Sequence, residues 1–271
     1  MNQNIMIENL GMFWQGFFEF KLPSAGSAKN AVHIFKQNIA PITYHYVTTL
    51  EHNPTTLPQT QTILEGQSVS GLAIDDMMQV KRYGDGAKML MSMISDGTFT
   101  LSEKTACALH NYVGKEEALT WGKFRDSLVA ICNVNQYTPP DSRFLSAIAA
   151  KGFSFLDREI KSPHERAVAT FLFMSRTQFF HDANKRTASL MMNGVLMSEG
   201  IFPTTIINRN SEEFHTKLTD FYNTGNASEM MHFFEKSMKE VYPPQEQGKI
   251  EPQEAKAIIE IKQRQGSSLG L

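Results

Sequence analysis

Between residues 178 and 189 the chain reads QFFHDANKRTAS. Asp182, Asn184, Lys185 and Arg186 crowd into a short turn between two apolar helical patterns. A helix that starts in such a turn exposes unpaired backbone N–H groups and the positive end of its dipole. Asn184 is the expected cap of that start, and Lys185 and Arg186 add fixed positive charge beside it. The combination makes an anion site suited to phosphates. Asp182 is placed to hold a divalent metal that bridges such phosphates. The same residues also fit an ordinary helix–helix connection with a capping Asn and solvated charges, so the turn alone leaves both readings open.

The elements around the turn decide where its charges sit. Upstream, Ser162, Pro163 and Glu165 predict a helix start with a capping box, and RAVATFLFMSRTQF is apolar on most faces. Downstream, RTASLMMNGVLMSEG predicts a second buried helix that stops at Gly200. Both helices should be central, which puts the turn at the mouth of the core. Helical spacing also runs through 27–40, with Pro41 as an interruption, and through 58–66, 72–80, 86–95, 102–113 and 141–158. Asn210 and Glu213 predict a capping pair before a helix over 211–223, and 228–241 is helical again. Residues 118–140 differ: Leu128, Val129, Ile131 and Val134 are β-prone and Pro139-Pro140 closes the stretch, so a short extended segment or hairpin is expected there. The chain thus divides into an N-terminal extension (1–57), a segment of linking helices (58–98), a core (99–242) and a polar tail (243–271) with a possible short helix at 252–263. The aromatic run Phe13, Trp14, Phe17, Phe18 and Phe20 reads as core or as a contact between two copies.

Composition sets broader bounds. With 26 basic against 28 acidic residues in 271, no global field selects nucleic acid or an anionic membrane. Cys107 and Cys132 form no metal-type pair, so a reducing, cytoplasmic setting is expected. No run approaches the ~20 apolar residues of a membrane span.

The motif QFFHDANKRTAS resembles the central motif of the Fic/Doc family, HPFx(D/E)GNGRxxR or, in the Doc branch, HxFxDANKRTA. It matches at Phe180, Asp182, Asn184, Arg186, Thr187 and Ala188, with the Doc-like Ala183 and Lys185. GKFRDSLVAI (122–131) resembles the family's G-x-Y-R segment leading into a flap that positions a target side chain. TILEG (62–66) resembles the inhibitory helix that precedes the core in one Fic class. The resemblance, over roughly 58–240, implies an all-α fold: a Fic-type helical bundle with a small β-hairpin flap at Val129, Ala130 and Ile131. It implies that ATP binds with its phosphates on the helix start, held by Asn184, Lys185 and Arg186, with Mg2+ on Asp182. The implied reaction moves AMP onto a protein hydroxyl; the Doc-like Lys185 suggests a kinase instead.

Two positions depart from the pattern. The general-base position is Gln178, whose amide cannot take a proton near neutral pH. His181, three residues on, is the substitute base the sequence offers. Ser189 stands where the AMP-transferring branch has its last Arg, so Glu65, the expected inhibitory acid, lacks its usual partner. Glu65 then pairs with Arg186 or Lys185, or is simply a helix-end carboxylate. Two functions follow: a Fic-like transferase acting on a protein target, or a nucleotide-binding regulatory protein without transfer. Homo-oligomerisation is compatible with either.

Overall fold

The structure is a computed structural model that describes residues 2–16 and 18–243. The polar tail from 244 on, with its expected short helix, and Phe17 lie outside those residues.

Eleven α-helices make up the described residues: α1 (Gln3–Leu10), α2 (Ala28–Gln37), α3 (Ile39–Glu51), α4 (Leu57–Leu64), α5 (Ile74–Ser95), α6 (Glu103–Val113), α7 (Leu145–Glu159), α8 (Pro163–Thr177), α9 (Asn184–Ser198), α10 (Ser211–Thr224) and α11 (Ser228–Val241). Helix α9 is the axis. Every residue from Arg186 to Met197 is buried, and α8, α5, α6, α2 and α3 pack around it. The all-round apolar reading of the 162–177 and 184–199 segments therefore holds, because a helix with neighbours on every side must be apolar on every side.

Several local expectations give way to packing. Residues 74–95 form one helix where two were expected: Gly84 and Gly86 do not break α5 but let neighbours in. A Cβ on Gly84 would lie 2.2 Å from Leu64 Cδ2, and one on Gly86 would lie 2.6 Å from Val113 Cγ2. Pro41 does not end a helix but sits in the first turn of α3, where its missing N–H costs nothing. The box at Ser162 is one-sided: Ser162 Oγ accepts from Glu165 N–H, while the Glu165 carboxylate goes to Trp14 and Phe18. Asn210 caps nothing with its side chain; it donates to Glu240, and Glu213 pairs with Lys236.

The β-hairpin flap expected over 118–140 is absent. The described residues hold only two isolated bridges, Phe13–Asn226 and Ser24–Ile201. The reason lies in Arg125. It is buried, and its guanidinium donates to the carbonyls of Gln178, Ser127 and Pro140. Both ends of the segment are thereby pinned to one side chain, and an open, irregular loop results. Arg125 is thus anchored by carbonyls rather than by a carboxylate. Val129, Ala130 and Ile131 lie on that loop, half-buried or exposed, with Leu128 72% exposed.

The N-terminal extension is bound into the body. Residues 13–16 and 18–25 run across α10–α11 and the end of α9 through Phe13 N–H to Gly225 O, Ala227 N–H to Phe13 O, Phe20 N–H to Glu235 and Ala25 N–H to Gly200 O. Arg176 ties the same strap down through Gly11 O and Tyr222 O, with its guanidinium over the Tyr137 ring. Among the described residues no helix is long and apolar enough to cross a membrane.

Candidate active site

Helix α8 ends at Gln178, which takes the left-handed conformation (φ 52°) and closes the helix by donating its N–H to Met174 O. The turn then passes through Phe179 and Phe180, both fully buried. Phe180 stacks on His110 at 3.8 Å between ring centroids and Phe179 on Phe124 at 4.7 Å. A second left-handed residue, Ala183 (φ 56°), launches α9.

Asn184 does not cap that helix. It is the first helical residue, and its side chain turns back: Oδ1 accepts from Phe180 N–H, and Nδ2 donates to Phe180 O and Gln178 Oε1. Its role is to close the turn on itself. Ala183, at the cap position, has no side chain to offer. Among the described residues, the backbone N–H groups of Asn184, Lys185 and Arg186 therefore meet no acceptor, although Asn184 and Arg186 are buried. A buried helix start with its amides unmatched is a place for an anion.

Gln178 is a structural part of the turn. Its Nε2 donates to Ser175 O at 2.6 Å, its Oε1 accepts from Asn184, and its carbonyl accepts from Arg125. His181 lies 3.3 Å from Asp126 Oδ1, on the corner that opens the pinned loop. Asp182 is half-exposed; its Oδ1 accepts from Ala183 N–H and lies 3.7 Å from Arg186. One carboxylate at a phosphate-binding helix start is what Mg2+ ordinarily asks of a protein, the rest coming from phosphates and water. Among the described residues no group of three or more His, Cys, Asp or Glu side chains forms a metal cage.

The cations are held by carboxylates the sequence did not single out. Arg186 is fully buried. It makes a bidentate contact with Glu117 (2.7 and 2.5 Å) and a third bond to Glu51 (3.2 Å). Burial by itself would raise the Glu117 pKa, but the Arg186 bonds and charge, with Gln79 and Arg82, bring it below the ordinary carboxylate value. Lys185 reaches the Leu50 carbonyl and lies 3.7 Å from Glu51. Glu65 takes neither cation: it caps the end of α4, exposed, and accepts from Gln61. Of the two roles open to Glu65, the structure places it as a helix-end carboxylate, and Arg186 pairs instead with Glu117 and Glu51. Helix α4 rests on α3 and α5, and Glu65 lies at its outer end.

His110 was also missed. Gly122 N–H donates to its Nδ1, so the neutral ring carries its proton on Nε2 and donates it to Asp182 O at 3.1 Å. Burial, helped by the Arg186 charge, pushes its pKa down to about 4. It links the corner at Gly122 to the 178–184 turn. No motif marks it, since only the fold brings α6 under the turn. Ser189 faces the core: its hydroxyl lies 3.0 Å from Tyr83 OH and donates to Arg186 O.

Comparison with known proteins covers this region. Residues 100–196, which hold His110, the Arg125 corner and the whole turn, match the model of the Fic/DOC family. Over that stretch the chain is similar to the Fic/DOC family. The Fic fold extends beyond that stretch. The solved structure of Fic-1 (residues 134–508) from C. elegans superposes with a TM-score of 0.67 at 18% identity, covering 89% of this chain and 73% of that one. A Fic domain containing signaling protein from Bacteroides thetaiotaomicron gives 0.66 at 16% identity, covering 89% and 96%. In sequence, the "protein adenylyltransferase Fic" of Culex quinquefasciatus is 26% identical over 195 residues and that of Aedes aegypti 27%. These matches cover 70% of this chain but only 37% and 38% of those proteins, so the chain corresponds to well under half of their length.

Proposed function

We propose that this Fic domain binds ATP at the start of α9 and acts on proteins as an adenylyltransferase whose transfer step is slow. One observation carries the reading: the backbone N–H groups of residues 184–186 meet no acceptor among the described residues. Phosphate oxygens would complete them, with Lys185 beside them and Mg2+ shared between the phosphates and Asp182. Mg2+ would supply charge neutralisation there. A target hydroxyl would then attack the α-phosphorus, the new O–P bond replacing the bond to the leaving pyrophosphate, and the hydroxyl proton would pass to solvent. The exposed backbone of the 127–134 loop, next to the turn, is where a target chain would lie.

The slow step follows from Gln178. Its amide cannot accept the hydroxyl proton, and both its polar atoms are already occupied within the turn. A missing general base costs on the order of 10²–10⁴ in rate. A regulatory protein that binds nucleotide without transfer is the second reading, and the Arg186–Glu117–Glu51 contact favours it, since that cation is committed inside the protein.

Incubation with Mg2+, a candidate target and ATP labelled at the α or γ position separates the readings. Slow incorporation of α-label, raised on the order of 10²-fold or more by Gln178→His, supports the transferase. Incorporation of γ-label indicates a kinase. Binding with no label transferred, even by Gln178→His, supports the regulatory protein.

A further inference from the structure

Arg186 is held as a phosphate would hold it. A carboxylate presenting two oxygens to a guanidinium fork has the geometry and charge of a phosphate edge. Glu117 makes that contact at 2.7 and 2.5 Å, on the side chain of a residue whose own N–H is among the α9-start amides that lack acceptors among the described residues. Two features show that Glu117 is held in place rather than buried for packing. Its side chain is 24% exposed while that of Arg186 is 0% exposed, so the carboxylate sits on the solvent side of the pair. The residue before it, Glu116, is in the left-handed region (φ 57°), a conformation that costs a non-glycine residue energy. Arg82 anchors the strained turn by pairing with Glu116 at 3.1 Å, and Gln79 donates to Glu117 at 3.2 Å. Both anchors lie on α5. Glu51, at the end of α3, takes the remaining face of the guanidinium.

We propose that Glu117 is an intramolecular competitor for the nucleotide: the 114–118 turn is a latch, and ATP gains Arg186 only when Glu117 lets go. The proposal rests on the reading that α9 binds nucleotide phosphates, and it names the regulation of that site. The Glu117 carboxylate and the polyphosphate cannot both occupy the guanidinium fork. In the closed state the amides of residues 184–186 and Lys185 alone greet the ligand. Release of Glu117 adds a charge-assisted pair of hydrogen bonds to the bound nucleotide.

The test is ATP–Mg2+ calorimetry on the full chain as wild type, Glu117→Gln, Arg82→Gln and Lys185→Ala. Glu117→Gln keeps the shape of the turn but removes the competing charge. It should bind ATP roughly tenfold to a hundredfold more tightly than wild type. Arg82→Gln, which removes the anchor of the strained turn at Glu116, serves if Glu117→Gln fails to fold and should tighten binding several-fold. Lys185→Ala, outside the latch, should weaken binding. If Lys185→Ala weakens ATP binding but Glu117→Gln and Arg82→Gln bind no more tightly than wild type, the latch is wrong while the phosphate site stands. If neither wild type nor Glu117→Gln, both folded, binds ATP at millimolar concentration, the phosphate site is wrong and the latch falls with it.

Discussion

Ser189 shows why a motif position can depart from its family without leaving a vacancy. Its hydroxyl is fully buried, 3.0 Å from Tyr83 OH, in a polar chain that continues through Ser189 O to Asn193 and on to Tyr46 and Thr204. An arginine there would bury an unmatched charge and overfill the core. Ser189→Arg should therefore destabilise the protein by more than about 3 kcal/mol, read as the fall in denaturant midpoint at unchanged slope. A variant as stable as wild type would mean that the side chain can reach the phosphate site. At this scale the sequence was legible in residue types and blind in partners. Asp182, Asn184, Lys185 and Arg186 were picked out, and the fold does gather them at one helix start. Asn184 was misread as a cap because capping statistics cannot foresee that its amide is more useful four residues back, bonding Phe180 at both N–H and C=O. Glu51 and Glu117 were invisible because they come from other elements, and a lone Glu on a helix end or in a turn carries no signal.

The helices were legible wherever periodicity and punctuation agreed, and the errors share a cause. Glycines at 84 and 86 and a proline at 41 look like breaks to a local reading, yet each is used by the packing of α5 or the start of α3. Gly152 is the sharpest case. A Cβ there would lie 2.2 Å from Phe173 Cζ, in a ring that is itself fully buried and packed on Phe153 and Phe179. The close approach of α7 to α8 depends on it. Gly152→Ala should cost about 1–3 kcal/mol despite the better helix propensity of alanine. A rise in melting temperature instead would show that the α7–α8 contact is loose. The hairpin expected at 118–140 failed for a related reason. β-prone residues need a partner strand, and the three carbonyls gathered by Arg125 hold the loop where none is available.

Across the whole molecule, buried neutral histidines couple folding to pH. His110 is lowered to about 4 by burial, from an ordinary 6.5. Its folded form thus refuses a proton that the unfolded chain accepts below about 6.5. Stability is fully present above that pH and falls as the pH drops toward about 4, by up to ~1.4 kcal/mol per pH unit. His45, lowered to about 3, adds to the same slope. His110→Gln should flatten the loss of stability between pH 6.5 and 4 by close to one proton. An unchanged slope would place the coupling elsewhere. The strap residues 11–16 and 18–25 and helices α2 and α3 also matter at this scale. They contribute Met12, Trp14, Phe35, Tyr46 and Leu50 to the one core, so removing residues 1–66 would unfold the protein rather than release a site. Point substitutions are the usable probes. The most direct is calorimetric titration of the full chain with ATP and Mg2+. One saturable site, weakened about tenfold or more by Lys185→Ala, is the result the unmatched α9 amides predict; a folded protein that gives no binding heat at millimolar ATP would contradict it.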